Sequence, residues 1–242
     1  MSDNPTPPEQ HFKYLDLVAV TFTVVLLLSN IASSAKLIDW GFRIGQTEMI
    51  FDAGTLFFPF AYIFGDVLTE VYGYKNARRV IWMGFGALIF GFLMFLVIRL
   101  LPGEALWAAE GGQAAFERAL GGFSSGGIVL ASILGYLTGS FSNAIVLALM
   151  KHLTRGRWLW TRTISSTIIG EFLDTLVFVL LASWTAVFPW ELFWSLTLTN
   201  YLFKVTIEAV FTPLTYLVTS LLKKAEKVDV YSDLSDLNPL AF

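Results

Sequence analysis

The chain has 242 residues, of which 55% are hydrophobic, 16% aromatic and only 14% charged, a composition that excludes an ordinary soluble domain and fits an integral membrane protein. The net charge of −3 gives no reason to expect a nucleic-acid partner, and the absence of Cys excludes disulfides, thiolate catalysis and thiolate metal sites. The length suits one helical bundle, with no room for a second folded domain beside it.

In chain order, residues 1–13 are polar and Pro-rich with no basic n-region or cleavage site, so they read as a disordered cytoplasmic tail rather than a signal peptide. Six apolar runs of a length that crosses ~30 Å of hydrocarbon follow. They cover about 14–35, 54–72, 79–101, 126–150, 163–188 and 190–222, giving an all-α membrane protein with a six-helix transport domain at 14–222 and a cytoplasmic C-terminal tail at 223–242. The last run is over-long for a perpendicular span, which predicts tilt or an emergent end. Between runs one and two, KLIDWGFRIGQTEMIFDA alternates well enough for a short extracytoplasmic strand pair. Between runs three and four, GEALWAAEGGQAAFERAL reads as an amphipathic surface helix.

Basic residues near span ends stay on the cytoplasmic side. With the N-terminus inside, the inner segments hold Lys13, Lys75, Arg78, Arg79, Lys151, Arg155, Arg157, Arg162, Lys223, Lys224 and Lys227. The outer segments hold only Lys36, Arg43, Arg99 and Arg118. Both termini are therefore expected in the cytoplasm, with the protein multi-pass in a bacterial cytoplasmic (inner) membrane.

Three runs carry polar stripes. Run two has Asp66 and Glu70, run five has Glu171 and Asp174, and run six has Asn200, Lys204 and Glu208 at successive i, i+4 steps. A charge at mid-bilayer costs ~3 kcal/mol on insertion scales, so the stripes should converge on the bundle interior or a wet cavity. Five carboxylates against one ammonium cannot persist in low dielectric without protons, ions or a donor-rich ligand. Asp66, Glu171, Asp174, Asn200 and Lys204 form the central candidate set, with Glu70, Asn30 and Glu208 as second choices. The structural alternative pairs Glu70 with Arg78 or Arg79 and Glu208 with Lys204. His11 and His152 lack a ligand partner at useful spacing, so no metal and no cofactor is expected.

HExxH and a phosphate loop ending in GK[ST] are missing from the sequence, and nothing else in it suggests an enzyme. The echo of Gly65-Asp66-x-Leu68 in Gly170-Glu171-x-Leu173, three runs apart, is what an inverted repeat would leave.

The blocks SNIASSAK, FPFAYIFGDVLTEVYGYKNARRVI, RTISSTIIGEFLDTLVFVLLA and NYLFKVTIEAVFTPLTY resemble, in order and spacing, the signature blocks of the queuosine precursor transporter family, once treated as a vitamin-uptake family. The resemblance covers residues 14 to 222. It implies a six-helix importer of 7-cyano-7-deazaguanine or 7-aminomethyl-7-deazaguanine, for salvage into the queuosine of transfer RNA, with a fold like the substrate-binding subunits of energy-coupling-factor transporters. Two alternatives remain open at this point: a proton-coupled carrier of another nucleobase-like or cationic solute, and a non-transporting scaffold subunit. An energising partner is not identified.

Overall fold

Hydrocarbon offers no hydrogen-bond partner to a backbone N–H or C=O, so an apolar run satisfies them within itself as a helix. The computed structural model describes residues 11–44, 47–121, 126–186 and 189–240; most of the expected N-terminal tail, residues 1–10, lies outside these. Helix α1 (Leu15–Ala35) leads into an antiparallel hairpin of β1 (Leu37–Ile44) and β2 (Thr47–Asp52), whose register pairs Leu37 with Asp52 and Ile44 with Thr47. Then come α2 (Phe58–Leu100), α3 (Ala105–Ala109), α4 (Gly112–Leu120), α5 (Gly126–Leu153), α6 (Leu159–Trp184) and α7 (Phe193–Glu226). Among the described residues, α1, α2, α5, α6 and α7 are long and apolar enough to cross a membrane.

Two expectations change here. Runs two and three form one element, α2, broken at Gly73 (φ 80°, ψ 163°) rather than separated by a loop. Only glycine takes that conformation without strain, and the neighbouring Asn76 amide donates to the Tyr72 carbonyl at 2.8 Å, satisfying an acceptor that the break exposes. The surface helix between α2 and α5 is also two short helices, because Gly111 adopts φ 83° between α3 and α4. Glu104 caps α3 by accepting from the N–H groups of Leu106 and Trp107.

The helices share two ends. One end gathers the C-terminus of α1, the N-terminus of α2, the C-terminus of α6 and the N-terminus of α7, beside the hairpin. The other gathers the N-terminus of α1, the break in α2, the C-termini of α5 and α7 and the N-terminus of α6. Exposed Trp184, Trp190 and Trp194 mark the first end, and exposed Trp158 and Trp160 the second, as interfacial tryptophans do. Val67, Leu68, Val71 and Tyr72 of α2 form the buried centre with Phe22 of α1 and Phe141 and Ala144 of α5.

Helices α5 and α6 touch through small residues. A Cβ on Gly139 would sit 2.6 Å from Asp174 Cβ, and one on Gly170 would sit 2.8 Å from Asn143 Cβ. GYLTG at 135–139 is thus a Gly-xxx-Gly seam that lets two backbones approach.

Residues 228–240 close the second end. Tyr74 N–H donates to Ser232 Oγ, Arg78 to the Asn238 carbonyl and Trp82 Nε1 to the Pro239 carbonyl, each at 2.8 Å. Partial burial pushes the Asp229 carboxyl up, but the Lys151 and Lys223 ammoniums outweigh this and hold it below the usual carboxylate range.

Candidate functional site

The predicted stripes converge at three successive levels of the bundle. The first level, in the half nearer the hairpin, faces a cavity of about 250 Å³ that is lined by residues of all five long helices and reaches down to Thr69 and Ala77, on either side of the break in α2. Lys204 projects from α7 between the two acids of α6; it is hydrogen-bonded to Asp174 Oδ2 and lies 3.0 Å from Glu171 Oε2. Asp174 and Glu171 are three residues apart on one helix face, so one ammonium reaches both. Two carboxylates and one ammonium leave a single formal negative charge. Asn30 and Asn200 also line the cavity; the Asn30 amide donates to its own helix at the Leu26 carbonyl. Five aromatic rings, of Phe22, Tyr62, Tyr136, Phe178 and Phe203, complete the wall.

The second level lies one helical turn deeper and behind the lining. Asp66 follows Tyr62 by four residues on α2, and Glu208 follows Lys204 by four on α7. Both are 1% exposed. Asp66 Oδ1 accepts from Asn143 Nδ2 at 3.1 Å. Asp66 Oδ2 and both oxygens of Glu208 meet no hydrogen-bond donor among the described residues, and the two carboxyl groups neighbour each other. The pairing of Glu208 with Lys204, allowed by their spacing, does not occur; the ammonium turns towards α6.

The third level seals the far end. Glu70, fully buried, takes a two-pronged contact from Arg162, Nη2 to Oε1 at 2.6 Å and Nε to Oε2 at 2.8 Å. Lys223 lies 2.5 Å and Lys151 3.6 Å from Glu70 Oε1. Lys151 also donates to Asp229 at 2.6 Å and to the Val230 carbonyl at 2.7 Å. Glu70 therefore pairs with Arg162, Lys151 and Lys223 rather than with Arg78 or Arg79, because the break at Gly73 and the tail draw Arg78 to Asn238. This level is an ionic plug, and Glu70 does not line the cavity.

Several residues of the site carried no charge to announce them. Tyr62 precedes Asp66 by one turn and Asn143 sits in a stripe with Gly135, Gly139 and Ser140; the polar and glycine periodicity of α5 was the available signal. On α7, Glu208 is followed by Thr212, Thr215, Thr219 and Lys223, all but the last buried, at steps of four, three, four and four that keep to one helix face.

A family described as "Putative vitamin uptake transporter" matches residues 52–218. The chain belongs to that family. The "Queuosine precursor transporter" of Escherichia coli (strain K12) is 30% identical over 191 residues, covering 77% of this chain and 79% of that protein. The "Probable queuosine precursor transporter" of Bacillus subtilis (strain 168) is 26% identical over 176 residues, 72% of each chain. A protein of the same description from Haemophilus influenzae is 31% identical over 157 residues, covering 64% of this chain and 62% of that one. No solved structure matches. The protein is thus a multi-pass membrane protein of a transporter family, not an enzyme. The matched region contains Asp66, Glu70, Glu171, Asp174 and Glu208, whereas Asn30 precedes it and Lys223 and Asp229 follow it.

Proposed function

We propose that the protein imports a queuosine precursor, 7-cyano-7-deazaguanine or 7-aminomethyl-7-deazaguanine, and that the cavity is its binding site. The observation that carries this reading is the Glu171–Asp174–Lys204 cluster facing a base-sized space walled by aromatic rings. A deazaguanine offers N1–H and an exocyclic amine on one edge, which a carboxylate accepts as a charge-assisted pair. Asp174 and Glu171 supply such acceptors. Lys204, Asn200 and Asn30 supply donors for the carbonyl edge, and Phe178, Phe203 and Tyr62 supply flat faces for the ring system. Asp66, Glu70 and Glu208 are left out of the binding set because none lines the cavity.

The same reading takes α2 as two crossings, for six in all. Its 43 residues would span ~65 Å as one helix, about twice the hydrocarbon thickness, and the break at Gly73 lies at the end of the bundle with the basic residues. That end is then cytoplasmic, with both termini, in the bacterial inner membrane, and the Glu171–Asp174–Lys204 cluster belongs to the outer half. The expected likeness to energy-coupling-factor substrate-binding subunits is part of this reading.

Thermal stabilisation in detergent tests it. A precursor at 100 times its dissociation constant adds ~2.7 kcal/mol to the folded state, so both precursors raise the melting temperature while adenine does not. No shift with either precursor at millimolar concentration overturns the assignment.

A further inference from the structure

Behind the wall of the proposed binding cavity, the pair Asp66 and Glu208 has no part in lining it and, among the described residues, no cation of its own. Among the described residues, every charged or titratable group around the pair is already engaged or is itself an acid. Arg162 is committed to Glu70 by two contacts, Lys204 to Asp174 and Glu171, and Glu70 and Glu171 add negative potential from α2 and α6. Tyr62 lies above on α2, where Glu171, Asp174 and Glu208 all act on it. Asn143 of α5 satisfies one oxygen of Asp66 and no more. Two ionised carboxylates side by side in a dry interior repel, and neither can donate a hydrogen bond to the other. With one proton between them, one becomes a donor, two of the three orphaned oxygens acquire a partner and one of the two charges disappears.

The surroundings also supply a route. From Glu208, the hydroxyls of Thr212, Thr215 and Thr219 descend one face of α7 to Lys223 at the ionic plug. Those of Thr215 and Thr219 are buried and meet no partner among the described residues, although buried polar groups are normally satisfied, often by water. Pro213 sits in this stretch and lacks the N–H that an unbroken helix would offer to the Ala209 carbonyl.

We propose that the Asp66–Glu208 pair is a proton-binding site that couples import to the proton gradient. This rests on the transport reading above. A proton enters from the outer solution, forms an O–H bond on one of the two carboxyls, and leaves along the threonine face into the cytoplasm once the ionic plug opens. The loaded pair is one charge less negative, which lowers the cost of moving the acid-bearing helices between states.

The test uses the full-length protein in proteoliposomes with labelled 7-cyano-7-deazaguanine, the membrane potential held at zero by potassium and valinomycin. At one proton per substrate, an interior one pH unit more alkaline sustains up to about tenfold accumulation. Equal pH sustains none, and a sodium gradient at equal pH sustains none. Glu208→Gln, which sits outside the cavity and mimics a permanently protonated acid, is expected to keep exchange of labelled for unlabelled precursor and to lose gradient-driven accumulation; Glu208→Asp restores it in part. Accumulation driven by sodium, or wild-type accumulation indifferent to the pH gradient, overturns the proposal without any variant having to fold. Retained accumulation in a folded Glu208→Gln protein does so too. If the wild type neither exchanges nor binds the precursor, the substrate reading itself fails, and the coupling proposal with it.

Discussion

Replacing Glu70 by Gln tests the ionic plug, because it keeps the side chain's shape and removes its charge. In the wild type this fully buried carboxylate is contacted by Arg162 through both oxygens and by Lys223 at 2.5 Å, with Lys151 at 3.6 Å. In the variant, Lys151 and Lys223 keep Asp229, whose side chain is about half exposed, Arg162 loses the carboxylate it grips, and the new amide turns N–H donors towards groups that also donate. Breaking a buried ion pair by removing one partner costs about 3–5 kcal/mol. At roughly 2–4 °C per kcal/mol for a chain of this size, the apparent melting temperature in detergent falls by roughly 6–20 °C. Tryptophan fluorescence during a temperature ramp measures it. Arg162→Lys, which keeps the charge but not the planar fork, is expected to fall between the two. A Glu70→Gln protein melting within about 2 °C of the wild type would refute the claim that Glu70 holds this end of the bundle together.

Gly139→Val drives a side chain into Asp174 Cβ and the Gly170 carbonyl and is expected to cost ~1–3 kcal/mol of stability and to weaken precursor binding. Gly86→Ala, with nothing within 4 Å of the new carbon, should leave the melting temperature unchanged or raise it slightly; equal losses in both variants would contradict the close α5–α6 seam. Asp174→Asn removes a charged acceptor and presents donors to the ligand's own donors, a mismatch of ~1–3 kcal/mol, or about 5- to 150-fold in affinity, read by titration calorimetry with insertion and folding intact. The C-terminal tail carries a pH signature. Because the Asp229 carboxyl is held below its ordinary value, its contribution to docking is present above the unfolded value of about 4 and is lost as pH falls through the lower folded value. A dye on a Cys introduced at Ser235 should keep constant anisotropy from pH 7 to about 4 and loosen below, whereas Asp229→Asn should be loose already at pH 7.

The sequence made the bundle and its acids legible for one reason: ionisable groups are so costly in hydrocarbon that each stands out against an apolar run. Glu171, Asp174 and Lys204 were expected to converge, and they do. What the sequence could not separate was which acid belongs to which level. Asp66 and Glu70 share a helix face, yet one turn carries the first to an uncompensated pair and the second to an ionic plug, because the compensating cations arrive from α5, α6 and α7 in three dimensions. Arg162 and Lys223 read as surface charges at span ends, and the return of the tail that buries their partners has no local signal. The join of two apolar runs across Gly73 was hidden for a related reason. A single glycine in YGYKNA looks like a turn, yet the helix resumes directly after it, with the Asn76 amide on the Tyr72 carbonyl and the tail's Ser232 on the Tyr74 N–H. The GYLTG seam, by contrast, was visible as a spacing of small residues, but without its partner helix it names no contact.

Import of a queuosine precursor is measured directly by precursor uptake. Cells unable to synthesise or import 7-deazaguanines are given this protein, supplied with nanomolar 7-cyano-7-deazaguanine or 7-aminomethyl-7-deazaguanine, and assayed for queuosine in their transfer RNA. Queuosine is expected in cells carrying the protein, little in cells without it, and a sharp loss with Asp174→Asn. Equal queuosine with and without the protein, at every precursor concentration and with the protein shown to be in the membrane, would contradict it.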